Sequence, residues 1–347
     1  MASHLVSFQS HQWPINGCVH LPDHEAEEKV GVIILAEVTK FGSHGLHRKV
    51  AEAFAASGYY VLRYDNRGTY DSPGICALDF DDRVDDACAA AEFFRTEYRL
   101  DKLLFWGICM GSAVAVHASA RLSGPLKPAG MILCTLLADS SYASLPEFNY
   151  RPVTVSAYVR NGLTGSPWNR LRAVIADGIY RTNQLGSVAR VARNYYSEGV
   201  GKLQTISGGM ARLRNLRSKV SRGIDKLQTV SRSVARLHNM RSHVSRVGSL
   251  LEQYDGPCLL IHADTDPCWH SLRKDIKTGR RLRISRMKRL PRIAELAGTE
   301  RYFRAVEDRS RVIGLSVSWA LALRDGRNLA TASNDISATY YETQIAV

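Results

Sequence analysis

Gly107-Ile108-Cys109-Met110-Gly111 is the stretch whose residue types and spacing could do chemistry. It follows the apolar run Leu103 to Trp106 and precedes the small-residue run Ser112 to Ala120. A nucleophile flanked by small residues between a strand and a helix can sit on a sharp turn that lifts its side chain to the top of a sheet. The helix that begins there supplies backbone N–H groups and a positive dipole end, which favour a thiolate and can hold an oxyanion. The chemistry would be acyl transfer, or hydrolysis of an ester, thioester or amide, through a covalent adduct of Cys109.

Two further stretches carry charged groups just after apolar runs. Tyr64 to Ser72 (YDNRGTYDS) contains Arg67 and Asp71, which fit a supporting role that pins a strand end and shapes the rim of a site. Pro257 to Pro267 (PCLLIHADTDP) ends in Asp264 and Asp266. The order nucleophile then acid suits a hydrolase triad, with Asp266 the candidate to orient a base and Asp264 the runner-up.

These residues need elements to position them. Gly31 to Leu35, Tyr59 to Arg63, Lys102 to Trp106, Gly130 to Leu137 and Cys258 to Ile261 have the length and apolarity of buried strands. His47 to Ser57, Asp81 to Tyr98 and Gly111 to Arg121 read as the helices between them. The alternation predicts an α/β fold with a mostly parallel sheet flanked by helices.

Together these stretches resemble the α/β-hydrolase superfamily, and more closely the serine-aminopeptidase-like hydrolases associated with the exosortase A system. The likeness rests on Gly31 to Leu35 with Lys40 to His44, on Gly58 to Gly68, on Trp106 to Cys109 and on the late strand to Asp266. It implies Cys109 as nucleophile, with an oxyanion hole from the Met110 N–H and one from Glu37 or Val38. Asp266 would be the triad acid, a small acyl compound the substrate, and no cofactor or metal is implied. It also implies a histidine base late in the chain, yet no histidine follows His270. His262 and His270 flank Asp266 closely, and His44, on the loop after the first core strand, is the substitute that remains. Acylation by a thiol could survive the loss of a base, whereas hydrolysis of the adduct would lose about 100- to 10,000-fold.

The likeness covers about residues 28–140 and 255–267, and the chain divides into 1–150, the first part of the core, and 151–253, a basic helical insertion where that family carries its lid. Residues 254–292 hold the resumed core strand and a basic segment, and 293–347 form an atypical tail. Within the insertion, Lys202 to Arg222 returns at Lys226 to Arg246 with fourteen of 21 positions identical and apolar residues three and four apart. In the tail, Leu315 to Gln344 looks like one blade of a WD-repeat propeller, which predicts a β-hairpin ending after a family likeness that stops near Trp269.

Composition bounds the rest. The chain has 347 residues, 45% hydrophobic and 23% charged, enough to bury one large core. Seven scattered cysteines without a CxxC pair fit neither a disulfide framework nor a zinc ribbon, and all but Cys109 are expected to be buried core residues. No apolar run of about 18 residues is present and no leader precedes the first strand, so the expected location is the cytoplasm. The net charge of +13 is concentrated in two places: Lys202 to Leu250 has eleven Lys and Arg against Asp225, and Arg273 to Arg292 has ten against Asp275. Such helices could draw anionic substrates or bind an anionic lipid or polymer, and a catalytically inactive scaffold acting through them is the alternative function. The absence of aromatics between Lys202 and Leu250 argues against nucleic acid.

Overall fold

The computed structural model describes residues 2–36, 45–69, 71–73, 80–138, 242–278, 283, 286–327, 329 and 339–340. All of them belong to one compact unit, Met1–Ser140 with Leu237–Val347. The first repeat copy and residues 226–241 of the second lie outside the described residues, as do Cys76, His44, Glu37 and Val38.

The chain opens with an antiparallel hairpin, β1 (Ser3–Ser10) and β2 (Trp13–His20). Then come β3 (Val30–Leu35), α1 (Gly45–Ala56), β4 (Tyr60–Tyr64), α2 (Phe80–Glu97), β5 (Lys102–Ile108), α3 (Met110–Arg121) and β6 (Gly130–Cys134). A helix over 242–253, α4, leads to β7 (Cys258–Ala263), α5 (Pro267–Thr278), β8 (Arg292–Leu296), α6 (Val306–Arg324) and the short β9 (Thr339–Tyr340). The sheet runs β1-β2-β4-β3-β5-β6-β7-β8-β9, parallel from β4 through β8.

β3, β6 and β7 are buried along their whole length, which is why they read as unbroken apolar runs: helices cover both faces of a parallel sheet. Side chains alternate along β5, and the alternation assigns the helices. Gly107 faces α3, while on the other face Trp106 meets His47 of α1 edge-on and donates through Nε1 to Ser316 Oγ of α6 at 3.1 Å. A Cβ on Gly31 would stand 2.8 Å from the Phe94 ring, so α2 shares the face of α3. One on Gly130 would stand 3.0 Å from Trp319, which puts α6 against β6 as well as β5.

The expected hairpin tail is corrected here. Residues 306–324 form a 19-residue helix whose Val312, Leu315, Trp319, Ala320 and Ala322 are buried. No WD-like blade exists over Leu315 to Arg324, and beyond it only residues 325–327, 329 and the two of β9 are described. The parallel pairing of β8 with β7 shows that the βα order continues past Trp269. Within the basic segment Arg273 to Arg292, Asp275 of α5 and Met287 are buried and Arg292 opens β8. Cys18 and Cys88 are half-buried rather than core. Among the described residues no helix is long and apolar enough to cross a membrane.

α4 is tied to the core by histidines. His243 pairs with Asp81 at 3.0 Å and stacks on Phe80, and its carbonyl accepts from His117 Nε2 at 2.9 Å. Burial lowers His117 from 6.5 to about 4, and burial with the nearby Arg63 does the same to His20. The unfolded chain therefore takes up protons on these rings before the folded one does, and the stability they contribute above pH 6.5 is lost as pH falls toward 4. We predict that Tm measured by scanning calorimetry declines across this window and that His117→Gln makes the decline shallower. An equal decline in the variant would contradict the assignment.

Candidate active site

The C-terminal ends of β5, β6, β7 and β8 bring the site residues together. In open α/β sheets this edge is where ligands bind. Cys109 follows β5 with φ 55° and ψ −116°, a conformation costing a non-glycine residue about 1–3 kcal/mol. The surroundings hold it there. Its N–H donates to the Cys134 carbonyl at 2.9 Å and to Thr135 Oγ1 at 3.1 Å, and its carbonyl accepts from Ser112 Oγ at 2.5 Å. The two glycines are required by close approach. A Cβ on Gly107 would lie 2.6 Å from the Gly111 carbonyl oxygen, and one on Gly111 would collide with the Leu35 carbonyl oxygen.

Cys109 is 2% exposed and Met110, the first residue of α3, is buried beside it. The Met110 N–H belongs to the first turn, whose amides have no acceptor within the helix and point past the thiol. The second oxyanion donor expected from Glu37 or Val38, and the expected base His44, lie outside the described residues.

After β7 the two aspartates separate by role. Asp264 holds the turn after β8: its Oδ2 accepts from the Gly298 N–H at 2.8 Å and its Oδ1 from the Thr299 N–H at 3.3 Å. Asp266 is fully buried and points at the site. Its Oδ1 accepts from the Cys268 N–H at 2.9 Å and from Arg301 Nη1 at 2.5 Å. Burial pushes its carboxyl up, but the neighbouring His262 and the Arg301 guanidinium outweigh that and hold it below the usual value.

Arg301, which the sequence reading did not single out, completes the cluster. It stands in the turn after β8, in the late part of the chain where the resemblance implies a histidine base and no histidine follows His270. It is 6% exposed, and its Nη2 lies 3.6 Å from Cys109 Sγ. Burial pushes the guanidinium down, but Cys109 and Asp266 outweigh it and raise it above its ordinary value. Tyr302 adds a hydroxyl 3.8 Å from the same sulfur. The turn is pinned by the Asp264 bonds, by Thr265 Oγ1 donating to the Thr299 carbonyl at 2.7 Å, and by Phe303 at φ 50°. The available signal was position: a charged residue 35 places after the acid, just past a strand. That strand was missed because it begins inside a basic run.

Two histidines lie near the acid, and His262 is the one that touches it. His262 stacks on Trp269 at 4.5 Å, and burial lowers its pKa. His270 is exposed and its Nε2 lies 2.5 Å from the Asp264 carbonyl oxygen. Of the supporting residues, Arg67 is buried and structural. Its Nε and Nη2 donate to Asp86 Oδ1 at 2.8 and 2.6 Å, and it reaches Asp82 and Ser10 Oγ as well, which ties the loop after β4 to α2. Asp71 is exposed and offers its carbonyl to Asn16. Burial pushes the Cys88 thiol up to about 11 and the Cys258 thiol higher still, which keeps both protonated near neutral pH. Among the described residues no three His, Cys, Asp or Glu side chains gather as a metal site would need.

A strained residue between two close-packed glycines after the fifth strand, with an acid after the seventh, defines an α/β hydrolase, and solved structures share the fold. Est1E from Butyrivibrio proteoclasticus, solved with ferulic acid, is similar over 92% of this chain and 99% of its own, at 14% identity and a TM-score of 0.54. The dienelactone hydrolase of Anabaena variabilis is similar over 92% and 97%, at 11% identity and a TM-score of 0.51. No curated protein matches the chain in sequence. Residues 41–283 match the family model described as "Serine aminopeptidase, S33", and the chain belongs to that family. The narrower association with the exosortase A system rests on the sequence resemblance alone.

Removing Arg67 would leave Asp86 as a buried charge without its partner. We predict that Arg67→Met destabilises the fold by about 3–5 kcal/mol in urea unfolding while leaving the alkylation rate of Cys109 unchanged in the protein that remains folded. A changed rate at unchanged stability would move Arg67 into the site.

Proposed function

We propose that this α/β hydrolase works as a cysteine-nucleophile hydrolase or acyltransferase on small ester, thioester or amide substrates. One observation carries the reading: the sulfur at the strained elbow is the atom on which the α3 N-terminus and the Asp266–Arg301 pair converge. A helix N-terminus and an adjacent cation both favour the thiolate, which is the nucleophilic form. Attack on a carbonyl would push charge onto its oxygen near the Met110 N–H, where a preorganised donor is worth most. Asp266 acts through its partner rather than on the substrate, and is a positioning residue in this account.

The test is intact mass after incubation with an activated ester, run beside Cys109→Ala and Asp266→Ala. The expected result is a single acyl adduct in the wild type, none in Cys109→Ala, and slower formation in Asp266→Ala. A folded wild type that takes up no acyl group would contradict the reading and leave the scaffold function through the basic segment as the alternative.

A further inference from the structure

Histidine and arginine differ in the property that governs turnover. An imidazole gives and takes a proton near neutral pH, whereas a guanidinium keeps its own. In this chain the acid that would orient a base is engaged by Arg301 Nη1 at 2.5 Å, and the Nη2 of the same group faces the sulfur at 3.6 Å. Resting on the reading of Cys109 as nucleophile, we infer that Arg301 replaces the proton-shuttling base with a fixed cation. Cys109 then holds its acyl group as a thioester until a thiol, rather than water, removes it.

The steps balance without a proton passing through the protein. The thiolate pair forms the S–C bond as the carbonyl pair moves to oxygen. The C=O bond re-forms and expels the leaving group with its bonding electrons, and solvent protonates it. Arg301 gains and loses nothing. Water attacking the thioester must shed a proton, and among the described residues those that touch the sulfur do not take it. Arg301 is already protonated, Asp266 is a weakened base held on Nη1 while the sulfur faces Nη2, His262 beside Asp266 is fully buried against Trp269, and Tyr302 offers a phenol, a weak base. A thiol acceptor arrives already ionised in part, attacks the same carbon, and expels the Cys109 thiolate back to Arg301. The substrate class follows: acyl donors whose leaving groups are stable as anions, namely thioesters and aryl esters, with a thiol as acceptor.

The experiment uses the full chain with para-nitrophenyl acetate as donor, reading nitrophenolate release and intact mass. Wild type should give a burst and an acetyl adduct that persists in buffer and is discharged at least ~100-fold faster by β-mercaptoethanol. The acid limb of its acylation rate should lie below the ordinary thiol value of about 8.5, move up toward that value in Arg301→Met, and move back down in Arg301→Lys. Loss of the wild-type adduct in buffer as fast as in β-mercaptoethanol would overturn the inference, as would identical pH profiles in wild type and Arg301→Met. Should Arg301→Met fail to fold, the wild-type partition between buffer and thiol, together with Arg301→Lys, decides the matter. A folded wild type that forms no adduct at all would overturn both the inference and the nucleophile reading beneath it, and so is distinguishable from failure of the inference alone.

Discussion

A buried guanidinium must be paired, because leaving it alone in the interior costs several kcal/mol. Arg301 meets that constraint by sharing its charge between the Asp266 carboxylate and the Cys109 sulfur. Each of the three residues follows a different strand, so the pairing fixes the relative positions of the ends of β5, β7 and β8. The supports are accordingly stiff. Asp264 and Gly298 set the turn that carries Arg301, the Cys268 N–H orients Asp266, and Thr135 holds the backbone of Cys109.

The elbow is the second constraint, and it links sequence to packing directly. α3 can begin right after β5 only if the chain reverses in one residue, and Gly107 and Gly111 let it do so by removing the Cβ atoms that would strike backbone. The same close approach explains why seven of the twelve residues of α3 are Ala, Ser or Gly: ten of the twelve are buried. The strain at Cys109 is maintained by this packing, and the sulfur is thereby aimed at the edge where Asp266 and Arg301 arrive.

Much of the central sheet was legible because buried parallel strands are plain apolar runs. β3, β5 and β7 stand out from their neighbours in this way, and the GxCxG spacing between an apolar strand and a small-residue helix marks the elbow. The remainder was hidden for physical reasons. The β1–β2 hairpin mixes polar and apolar residues because β1 is largely exposed at the sheet edge. β8 starts in a run of arginines. α6 buries one face but carries Ile313, Val317 and Leu321, all half-buried, on the other, so it lacks the polar face by which helices are recognised. Asp266 was preferred over Asp264 by position; in the structure Asp264 caps a turn and Asp266 faces a cation. Arg301 was missed because a search for a base considers histidines.

The central claim is that the cation beside Cys109 holds its sulfur as a thiolate. The direct measurement is the difference in ultraviolet thiolate absorbance between wild type and Cys109→Ser, followed from neutral pH downward. The account predicts a thiolate signal of one cysteine that persists below pH ~7 and disappears on protonation in the acid range. A signal that appears only near the ordinary cysteine value of about 8.5 would contradict it.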